Sequence, residues 1–431
     1  MTHAEAERAL LALPRFADAG AAAYRPGLER MRALLADLGD PHEAFRSVHV
    51  AGTNGKGSTA SLAAAVASAG GDRVGLHTSP HLVSLRERMR VDGVPAAEAW
   101  LASAVGRYGH VLQDTGPSFF EATVALSFLY FAERAVDLAV VEVGLGGRLD
   151  ATNVLTPVVS VVTHVGLDHT DLLGDTPSAI AREKAGIATP GAPLLHAVTG
   201  PAQAALEREA ERRGAPVEAV RQSCRVTIGD GAPLEVGLQT PVRDYGTVTV
   251  GLPGGHQAWN AALAVRAVET AVPSVGAEAV RAGLREVATR SGLRGRGEPW
   301  AGDPRVTLDV AHNPDGWHAA LAAWDVPEGG ARWLAVGLMA DKDAAALGAL
   351  AAAHGAHVLA VGLEGDRALS AEALAQALRA AGADARPVEG AISAVRAFER
   401  ASGPLDRLLV TGSHGTVAAV LEARTPDAPA G

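Results

Sequence analysis

The segment Gly52-Thr53-Asn54-Gly55-Lys56-Gly57-Ser58 sets a glycine-rich stretch and a lysine between a β-branched run and an alanine-rich one. A loop that follows a strand and opens a helix turns backbone N–H groups toward an anion, and its lysine reaches the terminal phosphates of a nucleotide. The spacing departs from the general phosphate-loop pattern, because Val50 and Gly57 stand where that pattern has Gly and Ser or Thr. A turn with no ligand is the ordinary alternative, yet such a turn has no need of the lysine. Ser79 lies in Thr78-Ser79-Pro80-His81-Leu82, Glu142 closes a later β-branched run, and His169 lies in Leu167-Asp168-His169-Thr170. In an open parallel sheet these three share the carboxyl edge of the strands, where ligands bind. A hydroxyl, a carboxylate and an imidazole beside a triphosphate suit Mg²⁺ or Mn²⁺. Read singly, each has a plainer role: a turn cap for Ser79, an ion pair with Arg148 for Glu142, a backbone carbonyl for His169.

Of 38 basic residues only Lys56, Lys184 and Lys342 are lysine. A lysine kept in an arginine-rich chain marks a place for a compact amine that can lose its proton, which a guanidinium cannot do. Lys184 sits in Glu183-Lys184-Ala185-Gly186-Ile187 and Lys342 in Ala340-Asp341-Lys342-Asp343. For Lys184 the plainer role is an ion pair with Glu183 or another acid.

Elements that could position these residues follow from the patterning. Short β-branched runs alternate with alanine-rich segments of helical period, which predicts an α/β fold with mostly parallel sheets. Strands are expected at 48–51, 74–76, 138–143 and 158–163, and helices at 58–69, stopped by Gly70-Gly71, and at 119–135. A second α/β unit reads from about residue 298, with strands at 306–310, 333–336, 357–361 and 408–411. The Gly- and Arg-rich stretch 291–297 has little apolar content and is expected to be a linker. Domains at 1–292 and 297–424 and a disordered tail at 425–431 result.

The chain has 431 residues, 48% of them apolar, enough for two sizeable cores. A net charge of −10 argues against nucleic acid or an anionic membrane surface as partner. The lone Cys224 rules out an internal disulfide. Glu5 and Glu7 stand where a secretory signal would be basic, so a cytoplasmic location is expected. Residues 344–363 carry no formal charge, a length that could span a bilayer, but glycines and histidines interrupt them and a helix, a turn and a strand fit better.

The segments quoted above, together with Glu142-Val143-Gly144-Leu145-Gly146-Gly147-Arg148-Leu149-Asp150-Ala151-Thr152-Asn153 and Asp309-Val310-Ala311-His312-Asn313-Pro314, resemble the dihydrofolate synthase/folylpolyglutamate synthase family of ATP-dependent amide ligases, within the Mur ligase superfamily. The likeness runs from about residue 27 to 420, in family order. It implies a phosphate-loop domain followed by a smaller Rossmann-like domain, with ATP and Mg²⁺ as cofactors. On this resemblance Thr53, Asn54, Gly55, Lys56, Gly57 and Ser58 hold the phosphates, Ser79, Glu142 and His169 ligate Mg²⁺, and Lys184 is carbamylated by CO₂. Asn260, in Gly255-His256-Gln257-Ala258-Trp259-Asn260, contacts the nucleotide together with Arg296 and Asp309. Arg296 lies in the expected linker, where nucleotide binding would set the angle between domains. Asp309 and His312 would orient the nucleotide or the incoming amino acid; helix capping beside Asn313-Pro314 is the plainer role for His312.

The same resemblance puts the pterin of 7,8-dihydropteroate against Ser118, Phe119, Phe120 and Glu121 and against Leu149, Asp150 and Ala151, an aromatic to stack and carboxylates to accept ring N–H groups. Tyr24-Arg25-Pro26 occupies a third such position with residues that differ from the family's forms. The implied reaction transfers the γ-phosphoryl group of ATP to a substrate carboxylate, and the amine of L-glutamate attacks the acyl phosphate. Gly147-Arg148-Leu149-Asp150-Ala151 and Gly412-Ser413-His414-Gly415-Thr416-Val417 look like bifunctional members, so glutamate is expected to be added both to dihydropteroate and to reduced folates, by a monomer. The alternatives are folylpolyglutamate synthesis alone or another Mur-type amino-acid ligase. Peptidoglycan-type ligases usually carry a nucleotide-sugar domain before the loop; a GTPase would need an Asn-Lys-x-Asp segment, and no lysine here follows an asparagine. A catalytically silent ATP-binding module is the remaining rival.

Overall fold

The computed structural model describes residues 1–14, 27–229, 231–365 and 367–423. Both Tyr24-Arg25-Pro26 and the tail from 425 lie outside them. The chain divides into two compact units, Met1–Leu293 and Arg294–Gly431.

The first unit is built on eight strands: β1 (Arg46–Ala51), β2 (Val74–His77), β3 (Met89–Val91), β4 (Val94–Pro95), β5 (Leu138–Glu142), β6 (Val159–Val162), β7 (Leu194–His196) and β8 (Val217–Ala219), in the order β4-β3-β2-β5-β1-β6-β7-β8. From β2 to β8 every neighbouring pair is parallel, and β3 and β4 add an antiparallel edge. Because side chains alternate along a strand, one face of β1 gives Val48 and Val50 to a core shared with the helices Lys56–Ala69 and His256–Ala271. The opposite face carries His49, in register with Val141 of β5, which belongs to the core under the helix Phe119–Glu133. Alanine dominates the helix Lys56–Ala69, and small side chains let its neighbours close in. A methyl group on Gly283 of the helix Ala277–Arg285 would come 2.4 Å from the Val66 Cα.

Sequence patterning missed a separate antiparallel sheet of β9 (Arg225–Ile228), β10 (Leu234–Gln239) and β11 (Asp244–Val250). Its middle strand alternates buried Leu234, Val236 and Leu238 with more exposed residues, the signature of a half-covered sheet.

The second unit has six strands, β12 (Arg296–Trp300), β13 (Asp303–Asp309), β14 (Arg332–Val336), β15 (His357–Val361), β16 (Asp384–Val388) and β17 (Arg407–Thr411), in the order β12-β13-β17-β14-β15-β16. All pairs are parallel except β12 with β13. The core gathers Trp317, Leu334, Val336, Val358, Leu374 and Leu378 around β14 and β15. The linker reading of 291–297 is corrected at its end: Arg296 opens β12 and stands opposite Asp309 of β13. Edge strands are commonly charged and poor in apolar residues, so the composition of this one mimicked a connection. The charge-free stretch forms the helix Ala344–Ala353 and then β15. No described helix is long and apolar enough to cross a membrane.

Candidate active site

β1 ends at Ala51 and the chain turns through Gly52 and Gly55 into the helix Lys56–Ala69. Both glycines are required. Gly52 has φ of +155° and a methyl group there would sit 1.9 Å from Thr163 Oγ1; Gly55 is left-handed at +83° and a Cβ would come 2.7 Å from Asn260 Oδ1. No described side chain caps the helix N-terminus, which leaves its first-turn N–H groups available to an anion. The loop is stapled to the segment that follows β6. Thr53 N–H donates to the His164 carbonyl at 2.7 Å, Thr53 Oγ1 bonds both the N–H and the carbonyl of Gly166 at 3.1 Å, and Thr163 Oγ1 donates to the Asn54 carbonyl at 2.6 Å. Asn260, on the helix His256–Ala271, is buried, and its amide N–H donates to Gln257 at 2.8 Å. Ser58 is buried in the first turn of the loop's own helix.

Two lysines converge on one oxygen. Lys56 Nζ donates to the carbonyls of Gly52 and Thr53, each at 3.1 Å, and Lys184 Nζ donates to the same Gly52 carbonyl at 2.9 Å. Lys184, near the end of the helix Pro177–Ala185, is only 3% exposed. Burial first, and then the positive charge of Lys56, lower its pKa to about 7, against weaker attraction from Asp168 and Asp150. Glu183, one partner that the plainer role of Lys184 allowed, pairs instead with Arg148 at 3.0 Å.

Glu142 is buried at the end of β5, and its Oε2 accepts the Ser79 N–H at 3.0 Å, which joins the ends of β2 and β5. His169 follows β6 in a left-handed conformation, φ 50°, and its N–H donates to Asp168 Oδ1 at 3.0 Å. Among the described residues no three His, Cys, Asp or Glu side chains cluster as a metal cage. One hydroxyl and one carboxylate after the adjacent strands β2 and β5, and one imidazole after β6 on the far side of β1, are ligand types that suit an ion such as Mg²⁺, which keeps several waters and phosphate oxygens.

The pterin-contacting candidates fall into two groups. Ser118 caps the helix Phe119–Glu133 in a capping box with Glu121, whose carboxylate also takes Arg30 at 2.9 Å. Phe119 is buried under the Arg88 guanidinium, 5.1 Å from its ring centre. Phe120 lies edge-on to His77 at 6.2 Å, and a Cβ on Gly144 would come 2.4 Å from its ring. In the second group Leu149 is half-buried and Ala151 and Asp150 are buried. The Asp150 carboxylate accepts the Leu145 N–H at 2.8 Å and the Thr152 N–H at 3.0 Å. Burial raises its pKa and these bonds oppose the rise.

In the second unit Asp309 ends β13 and accepts the N–H groups of Gly297 and Ala311, both at 2.9 Å, with Arg296 beside it. His312 Nδ1–H donates to the Val310 carbonyl at 2.9 Å, and its ring centre is 5.6 Å from that of His414. Asn313, not His312, caps the helix Pro314–Ala323. Sequence reasoning missed Thr163 and Arg30. The signal for Thr163 was a hydroxyl at the carboxyl end of the strand beside the loop; Arg30 offered none.

Residues 50–268 match the Mur ligase middle domain, and residues 295–414 match the Mur ligase glutamate ligase domain. A Bacillus subtilis relative named dihydrofolate synthase/folylpolyglutamate synthase is 40% identical over 306 residues, which cover 68% of this chain and 70% of that protein. The chain belongs to the dihydrofolate synthase/folylpolyglutamate synthase family. A Haloferax volcanii relative named probable bifunctional folylpolyglutamate synthase/dihydropteroate synthase is 39% identical over 438 residues, 99% of this chain, which spans only 50% of that longer protein. Among solved structures, Escherichia coli FolC in complex with DHPP and ADP superposes with a TM-score of 0.86 at 30% identity, covering 98% of this chain and 97% of that one. The bifunctional synthase of Yersinia pestis, complexed with AMPPNP and Mn ion, gives 0.85 at 29% identity and 98% of both chains.

Proposed function

We propose that this chain is an ATP-dependent ligase that joins L-glutamate to 7,8-dihydropteroate and to the glutamate tails of reduced folates. The observation that carries the reading is the loop Gly52 to Ser58, an uncapped helix N-terminus with two lysine amines on one loop carbonyl. The names of the relatives and the ADP, DHPP, AMPPNP and Mn held by the E. coli and Yersinia neighbours support it.

A carboxylate and an amine do not condense unaided, because the oxygen to be expelled is a poor leaving group. Phosphorylation of the carboxylate supplies a good one, so the protein's task is to position groups and offset charge. The loop N–H groups would hold the phosphates, and Lys56 would turn from the loop carbonyls to the transferring phosphoryl group. Ser79, Glu142 and His169 would hold Mg²⁺, which supplies charge neutralisation when bound. In the second unit Arg296, Asp309 and His312 would serve nucleotide and amino acid. Lys184, buried and easily deprotonated, is suited to react with CO₂: the neutral amine nitrogen bonds the carbon, a proton leaves, and a carbamate remains.

Lys56→Ala should cut ADP formation at least about a hundredfold with every substrate. Turnover near that of the parent would overturn the role of the loop. Dihydropteroate and a reduced folate, supplied separately with ATP and glutamate, should each yield a product one glutamate heavier by mass; a product from only one would restrict the activity to it.

A further inference from the structure

On the face of β1 turned away from the loop's helix, His49 is fully buried and has no acid to pair with among its hydrogen-bond partners. Its Nε2 lies 2.8 Å from Thr152 Oγ1, and that hydroxyl in turn reaches Asp150 Oδ1. Burial lowers the imidazole pKa to about 3, so the ring is neutral. A hydroxyl has one proton. If it goes to Asp150, the carboxylate is ionised and His49 must carry its proton on Nε2; if Asp150 is protonated, the chain reverses and the His49 proton moves to Nδ1. Among the described residues, His49 Nδ1 is buried without a hydrogen-bond partner. A buried N–H left unpaired is tolerated less well than a buried lone pair, so the first arrangement is favoured.

We infer that His49 is a positioning residue: through Thr152 it turns the hydroxyl proton toward Asp150 and holds that carboxylate as an acceptor for the N–H groups of a substrate ring. The step beyond Asp150 rests on the reading of this segment as a pterin contact. Lys184, from the helix Pro177–Ala185, is a charged group near Asp150, and His77, from β2, is a titratable group near His49 that burial holds neutral. Neither replaces the donor that Thr152 directs.

The test compares His49→Leu and Thr152→Val, which break the chain, with His49→Gln, which keeps a donor at the Nε2 position. Titration of Asp150, followed through its labelled carboxylate carbon and assigned with Asp150→Asn, should move up by about one pH unit in Thr152→Val, which removes the donor, move up by less in His49→Leu, where the hydroxyl loses the neighbour that fixes its proton, and return in His49→Gln. KM for dihydropteroate should rise about tenfold in the same two, with KM for ATP unchanged. Thr152→Val is nearly isosteric and keeps the proposal testable should His49→Leu fold poorly. An unshifted Asp150 titration overturns the role of His49. A shifted titration with unchanged KM for dihydropteroate leaves that role standing and overturns the pterin contact.

Discussion

At the scale of single residues, the lysines were the most legible signal. Lys56 and Lys184, two of three lysines in the chain, meet at the Gly52 carbonyl from positions 128 residues apart in sequence. Their types could be read from composition; their shared acceptor could not, because it depends on how β1 and the helix Pro177–Ala185 are placed. Lys184 carries a pH prediction whose sign is fixed. Its folded pKa, about 7, is below the ordinary 10.5, so between those values the unfolded chain binds a proton that the folded one does not. In CO₂-free buffer, stability should therefore rise with pH across that window, by up to about 1.4 kcal/mol per unit, and Lys184→Met should flatten the slope. Chemical denaturation at a series of pH values measures it, and equal slopes in the two proteins would count against a lowered pKa. With CO₂ supplied, the carbamate fraction should grow as pH passes 7, and native mass spectrometry follows it. A free amine throughout in fully active protein would remove the carbamate.

At the scale of elements, the four expected strands of each unit match observed strands within a few residues, because buried parallel strands are runs of β-branched residues, whereas the short parallel strands β7, β8 and β16 carry no such expectation. Elements that carry less apolar content escaped. The first two residues of β12 read as the end of a connection, and β9 to β11 carry no expectation although β10 alternates cleanly. The helix Phe119–Glu133 was found, but the reason its first residues are Ser118 and Glu121 has two layers. Ser118 closes the capping box, and Glu121 completes it while holding Arg30. Ser118→Ala should cost about 1 kcal/mol, as loss of an N-cap does, and lower the melting temperature by about 2 °C. A variant that melts like the parent but shows a raised KM for dihydropteroate would assign the serine to substrate rather than to the helix.

At the scale of the molecule, each unit has a core of its own, with Trp317 and its neighbours in the second sharing no member with the clusters of the first. Calorimetry should resolve two heat-absorption transitions, the smaller from Arg294–Gly431. A saturating non-hydrolysable ATP analogue, at about a hundred times its Kd, should stabilise the loop-bearing unit by about 2.7 kcal/mol. A single transition in the absence of nucleotide would show that the units unfold together. The Gly52 carbonyl also explains something about the composition of the whole chain. One oxygen has room for two slender ammonium tips but not for two planar guanidinium forks, and a fork could not give up its charge beside another cation. Drift from lysine toward arginine, nearly complete elsewhere, meets a steric and electrostatic floor here: Lys184→Arg would crowd the mouth of the loop and leave beside Lys56 a second charge unable to shed its proton.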